Sequence, residues 1–217
     1  MYTGSHSPTA EGASSSSRYE TRRLAVDLDG VLTEYPSLLA TAANGWFGLD
    51  LPPHTFVDSI GLEVPLAVRE WVYSADGPAR DLQPAESAIE LLAELLELFG
   101  PENVRIITAR PATAQAMTLD WLRLHRFPAC QVAFADDKVV VARACGMTHA
   151  IEDSSRHATT YAANGITCLL LASQANPMLL DPVCGERVVA VRDLAEAVAR
   201  LRLDCGSQDR SVAISAG

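Results

Sequence analysis

Leu24-Ala-Val-Asp-Leu-Asp-Gly-Val-Leu32 is the stretch that decides the fold of this 217-residue chain. A brief apolar run, Leu24 to Val26, passes directly into Asp27 and Asp29, with Gly30 behind them. In an open parallel sheet the strands are covered on both faces, so they read as short apolar runs, and ligands bind beyond their carboxyl ends. The two carboxylates therefore stand where such a sheet binds its ligand.

The same reading extends outward. Pro84 to Phe99 places Ile89, Leu92, Leu95, Leu96 and Phe99 on one helical face, and Gly100-Pro101 stops the helix. Val104 to Ile107 is a strand ending at Thr108, and Ala112 to His125 is amphipathic. Gln131 to Phe134 is a short strand, Lys138 to Cys145 a short helix, and His149 to Ile151 a strand running into Glu152-Asp153. A helix over Ser155 to Asn164, a strand over Ile166 to Leu171, a strand over Arg187 to Val191 and a helix over Asp193 to Leu203 complete the pattern. Strands alternating with helices of this length predict a doubly wound, Rossmann-like α/β core with helices on both faces of a parallel sheet.

Residues 33–83 break that rhythm. Pro52-Pro53, Pro65 and Gly77-Pro78 divide the segment, and it carries Tyr35, Trp46, Phe47, Phe56, Trp71 and Tyr73, six of the 13 aromatic residues. It reads as a small helical cap inserted after the first strand. The core then spans 22–32 and 84–204, and the Ser-rich segment 1–21 and residues 205–217 read as disordered tails.

Composition narrows the function. A net charge of -10 argues against binding a nucleic-acid polymer, whose phosphates are held by Lys/Arg patches. The five cysteines are scattered without CxxC spacing, a poor zinc or disulfide pattern, and read as reduced thiols. No apolar run approaches the ~20 residues of a membrane span, and Met1 to Glu20 lacks the apolar centre of a secretory signal. A soluble cytoplasmic domain is the expectation.

The residues just after each strand are Asp27/Asp29-Gly30, Thr108, Lys138 and Glu152-Asp153. Carboxylate oxygens hold Mg²⁺, while an ammonium and a hydroxyl take phosphate oxygens. Singly, each has a blander explanation. Asp-x-Asp-Gly can be an Asx turn, Thr108 a helix cap before Arg110-Pro111, Lys138 a solvated lysine and Glu152-Asp153-Ser154 an N-cap. An EF-hand is excluded because its further ligands and closing Glu are missing. Four such signals at successive strand ends coincide rarely.

Val26-Asp-Leu-Asp-Gly-Val-Leu32 resembles the first motif of the haloacid dehalogenase superfamily of phosphohydrolases. Ile106-Ile-Thr108 resembles its second motif, Lys138 its third and Ile151-Glu-Asp-Ser154 its fourth, so the likeness covers about Leu24 to Leu171. The resemblance implies that Asp27 is the nucleophile and Asp29 the acid and base. It implies that Asp27, the main-chain carbonyl of Asp29 and Asp153 hold Mg²⁺, with Glu152 supporting them. Thr108, Lys138 and main-chain N–H groups at Asp29 and Gly30 would bind the phosphoryl group.

Dehalogenase-type members lack an acid at the position of Asp29, so its presence favours phosphate esters, with a phosphatase ahead of a phosphomutase. A binding protein that kept the fold and lost the chemistry is disfavoured, because Asp27, Asp29, Thr108, Lys138 and Asp153 are all present. Thr108-Ala-Arg-Pro111, Trp121-Leu-Arg-Leu-His125 and Asn164-Gly165 further resemble bacterial relatives of the 5'(3')-deoxyribonucleotidases. That likeness implies a nucleoside monophosphate as substrate, ahead of a sugar phosphate, its base stacked on cap aromatics such as Trp46, Phe47, Trp71 or Tyr73. The same aromatics can equally hold the cap together. Arg110 is expected either on a substrate anion or on Glu34 or another cap carboxylate. His149 and His157 read as packing or surface residues.

Overall fold

The computed structural model describes residues 22–56, 64–172 and 186–215, with side chains described to Asp204. The segment 1–21, expected as a tail, lies outside the described residues.

The elements run β1 (Leu24–Val26), α1 (Ser37–Phe47), α2 (Leu66–Val72), a 3-10 turn (Pro78–Asp81), α3 (Ala88–Phe99), β2 (Val104–Thr108), α4 (Gln115–Leu124) and β3 (Gln131–Phe134). They continue with α5 (Lys138–Ala144), β4 (His149–Glu152), α6 (Ser155–Ala163), β5 (Thr167–Leu171), β6 (Val188–Val191) and α7 (Leu194–Ser215). All six strands are parallel, in the order β3-β2-β1-β4-β5-β6. The chain leaves β1 on one side for β2 and β3, then returns to its other side for β4. That reversal opens a crevice at the carboxyl ends of the strands.

Strand periodicity sorts the core into two layers. Leu24 and Val26, Val104 and Ile106, and Leu169 and Leu171 face Leu92, Leu95 and Phe99 of α3 and Val198 and Leu201 of α7. Ala25, Ile107, Cys168 and Leu170 face the other way, onto Ala142 of α5 and Ala158 and Tyr161 of α6. Helix α3 buries Leu92, Leu95, Leu96 and Phe99 of the face read from its sequence, leaves Ile89 half-buried, and ends where Gly100, at φ +85°, donates to the Leu96 carbonyl at 3.0 Å. The last helix runs on to Ser215, beyond the Leu203 end read from the apolar spacing. Gly206-Ser207 and the lack of apolar spacing hid the continuation.

The insertion is helical, and its two ends lie side by side. Thr33 and Pro84 form an antiparallel bridge, Glu34 N donates to Gln83 O at 2.8 Å and Ala85 N to Leu32 O at 3.0 Å. It has its own apolar centre, in which Leu39, Ala43, Val68, Val72 and Leu82 pack together with Ala114 of the core. Among the described residues no helix is long and apolar enough to cross a membrane.

Gly77 links α2 to the 3-10 turn. A Cβ there would lie 2.1 Å from the Trp71 carbonyl oxygen and 2.5 Å from that of Val72, backbone atoms that cannot swing aside. Gly77→Ala is therefore expected to cost about 1–3 kcal/mol, read as a lowered melting temperature, and to loosen the cap. An unchanged melting curve would contradict this packing.

Candidate active site

Asp27 leaves β1 tied to its neighbour strand, its N–H donating to the Ile151 carbonyl at 3.0 Å. Its Oδ1 accepts from Leu28 N at 2.7 Å and from Lys138 Nζ at 2.7 Å. Lys138 opens α5 beyond β3 and also reaches Glu152 Oε1 at 2.9 Å. An ammonium has three protons to donate, so one remains for another acceptor in the cavity. Among the described residues Asp27 Oδ2 has no comparable bond. Thr108 ends β2, and its Oγ1 accepts from Arg110 N at 3.2 Å, leaving its own proton to donate.

Asp29 points elsewhere. Arg110 grips it with both prongs, Nη2 to Oδ1 at 2.6 Å and Nε to Oδ2 at 2.9 Å. Arg110 lines the cavity and pairs there with Asp29, while Glu34 accepts from Gln83 N. Gly30 departs from expectation. Its N–H donates to Thr33 Oγ1 at 3.1 Å and is not aimed at a phosphoryl group. What the position requires is the absence of a side chain, because at φ +80° a Cβ would stand 1.8 Å from Asp153 Oδ2.

The charges do not balance. Asp27, Asp29, Glu152 and Asp153 are buried against Lys138 and Arg110, and these are all the buried charged side chains among the described residues. Burying uncompensated charge is costly, and Glu152 and Asp153 respond by holding protons. Glu152 is pushed well above the usual carboxylate range by burial and by Asp27, with Lys138 pulling the other way. Asp153 is raised by burial and by Asp27, again against Lys138. Burial alone would lower the Lys138 ammonium, but Asp27 and Glu152 outweigh it and hold it protonated beyond the usual lysine range.

Oxygens of Asp27, Glu152 and Asp153 lie within 4.8 Å of one another, and buried Glu152 Oε2 has no hydrogen-bond partner among the described residues. An oxygen-only donor set short of positive charge fits a hard divalent cation. Glu152 was expected in support; the structure brings it into this carboxylate group.

Above the carboxylates lies a cavity of about 770 Å³, within the range that holds small molecules. Asp27, Thr108, Lys138 and Asp153 line it from the core, Phe56 and Tyr73 from the cap, and Arg156 and His157 from α6. Arg69 of α2 spans cap and core, its Nη2 donating to the Ala109 carbonyl at 2.9 Å and meeting Asp136 Oδ1 at 3.3 Å. Trp46 stacks on Trp71 at 5.3 Å and Phe47 meets Trp71 edge-on at 5.4 Å, so these three pack on one another on the outside of the cap and do not line the cavity. His157 does line it. Burial, then Lys138 and Arg156, lower it to about 3, so it stays neutral at ordinary pH. Sequence spacing gave no signal for Phe56, Arg69 or His157, since their places follow from how the cap and α6 meet the cavity.

Solved structures share this architecture. A haloacid dehalogenase-like hydrolase of Streptococcus pneumoniae superposes with a TM-score of 0.57 at 20% identity, over 82% of this chain and 97% of that one. A HAD family hydrolase of Deinococcus radiodurans, solved with bound phosphate and sodium, gives 0.56 at 18% identity, over 85% and 96%. This chain has the haloacid dehalogenase fold. No family model matches the HAD-like chain. A Chlorobaculum tepidum protein provisionally named a 5'(3')-deoxyribonucleotidase is 26% identical over 171 residues, 70% of this chain and 80% of that one.

Carboxylates raised on folding favour the folded state below their ordinary range, and that benefit is lost as pH rises through their shifted values. A bound divalent cation offsets the loss. The gain in melting temperature on adding such an ion is therefore expected to be larger at about pH 8 than at about pH 5, and to shrink in Asp153→Asn. An equal gain at both pH values would show that the ion binds elsewhere.

Proposed function

We propose that this protein is a Mg²⁺-dependent phosphatase acting on a small phosphomonoester through a phosphoryl group carried on Asp27. The observation that carries the reading is the buried Asp27–Lys138–Glu152 pairing, with Asp153 beside it, on the floor of a cavity that Thr108 also lines.

Asp27, Asp153 and the main-chain carbonyl of Asp29 would hold the Mg²⁺, with Glu152 completing or supporting the set. The ion, when bound, neutralises carboxylate and phosphoryl charge. The chain's own groups do the rest. Lys138 and Leu28 N–H hold Asp27 Oδ1 and fix the carboxylate plane, so Oδ2 is the oxygen presented to phosphorus. As the Asp27 O–P bond forms, the bond from phosphorus to the ester oxygen breaks, and that oxygen takes a proton from Asp29. Water then attacks the phosphorus of the aspartyl-phosphate and gives a proton back to Asp29, releasing inorganic phosphate and restoring Asp27. The remaining Lys138 proton and the Thr108 hydroxyl stabilise the phosphoryl oxygens.

A nucleoside monophosphate is the substrate class we favour. Support comes from the likeness to the Chlorobaculum tepidum protein and from Phe56 and Tyr73, which offer aromatic surface to the cavity. Stacking of a base on such a side chain is worth about 1–3 kcal/mol.

Phosphate release should be measured from nucleoside monophosphates, deoxynucleotides and sugar phosphates, with and without Mg²⁺. Mg²⁺-dependent release led by the nucleotides, abolished in Asp27→Asn, is expected. Release only from sugar phosphates would keep the mechanism and remove the nucleotide assignment, and no release from any ester would overturn the phosphatase.

A further inference from the structure

We infer that Arg110 is a positioning residue for Asp29, and that Tyr73 makes this positioning depend on the docked cap. The inference rests on the phosphatase reading given above.

Arg110 is the largest fully buried side chain among the described residues, and at the cavity wall its guanidinium is turned onto Asp29. Nε and Nη2 are taken by the two oxygens of Asp29. Nη1 donates to Thr118 Oγ1 at 3.1 Å and lies 4.0 Å from Met117 Sδ. All three guanidinium nitrogens therefore have acceptors in the protein, two of them on one carboxylate. A two-pronged grip of this kind fixes the carboxylate plane as well as its distance.

Tyr73 completes the clamp from the other side. It directly follows α2 in the cap, and its Oη donates to Asp29 Oδ2 at 3.4 Å while the Arg110 guanidinium lies 5.3 Å from its ring centre. The cap thus contributes a side chain to the orientation of the acid. Arg69, on α2 four residues earlier, anchors the cap to Ala109, the residue immediately before Arg110. Cap docking and the setting of Asp29 therefore use one set of contacts. Proton transfer tolerates little error in donor position, because the groups must meet within hydrogen-bond reach.

This role is separable from two others. A phosphate-binding arginine would assist every ester alike, and so would an arginine needed only for packing. An arginine that aims the acid matters most where the departing oxygen needs a proton.

The test compares kcat/KM for the alkyl phosphate that the protein hydrolyses best with kcat/KM for p-nitrophenyl phosphate, whose aryl oxide leaves without one. Arg110→Met is expected to lower the first by about 100-fold or more and the second by less than about 10-fold, given the usual size of general-acid contributions. Arg110→Lys, which keeps the charge and most of the bulk, should retain the fold and show the same selectivity to a smaller degree. Tyr73→Phe should show it more weakly still, with an unchanged melting curve. Equal losses on both esters in the folded Arg110→Lys and Tyr73→Phe variants would overturn the inference while leaving the phosphatase intact. Absence of phosphate release from either ester in the unmodified protein would overturn the phosphatase, and the inference with it.

Discussion

The ammonium of Lys138, 2.7 Å from Asp27 and 2.9 Å from Glu152, is the contact on which the site depends. Without it three carboxylates would be buried together at the ends of β1 and β4 with no compensating charge near them. With it the cluster is still short of positive charge, and the raised protonation ranges of Glu152 and Asp153 are the measure of that shortfall. A divalent cation removes the same imbalance without protons. The charge balance of the cluster thus suits a divalent cation on grounds independent of any likeness to other proteins.

The sheet makes this crowding possible. Because β1 lies between β2 and β4, residues far apart in sequence are brought to one edge. Their close approach also requires a glycine: Asp153 sits where a side chain at position 30 would stand. The cap then closes over the carboxylates through Tyr73 and Arg69, so the upper wall of the cavity touches the acid group it covers. In the proposed mechanism, a cap docked on Asp29 would shield the carboxylates from water and hold the proton donor in place.

Much of this was legible in the sequence, for reasons that can be stated. The short apolar runs marked the strands because both sheet faces are covered, and the charged residues just past them marked the site because strand ends converge at the switch point. Asp27, Thr108, Lys138 and Asp153 come together as their positions implied. The pairing of Arg110 with Asp29 was not legible because the two lie 81 residues apart, and only the strand order makes them neighbours. Gly30 was expected to donate to phosphate because the family resemblance implied it, whereas its N–H donates to Thr33 Oγ1. For Trp46, Phe47 and Trp71 stacking on a base and packing within the cap stayed open, because composition does not reveal which way an aromatic faces; they pack on each other, and Phe56 and Tyr73 face the cavity.

The central claim is that the phosphoryl group rests on the protein before water takes it. The stereochemistry at phosphorus tests this most directly. A substrate whose phosphoryl group is made chiral with oxygen isotopes can be turned over and the configuration of the product determined, by transfer to an acceptor alcohol or in thio-labelled phosphate. Two in-line displacements, one by Asp27 and one by the acceptor, give net retention, which is the result expected here. Net inversion would mean a single displacement directly on the ester, and would contradict the assignment of Asp27 as nucleophile.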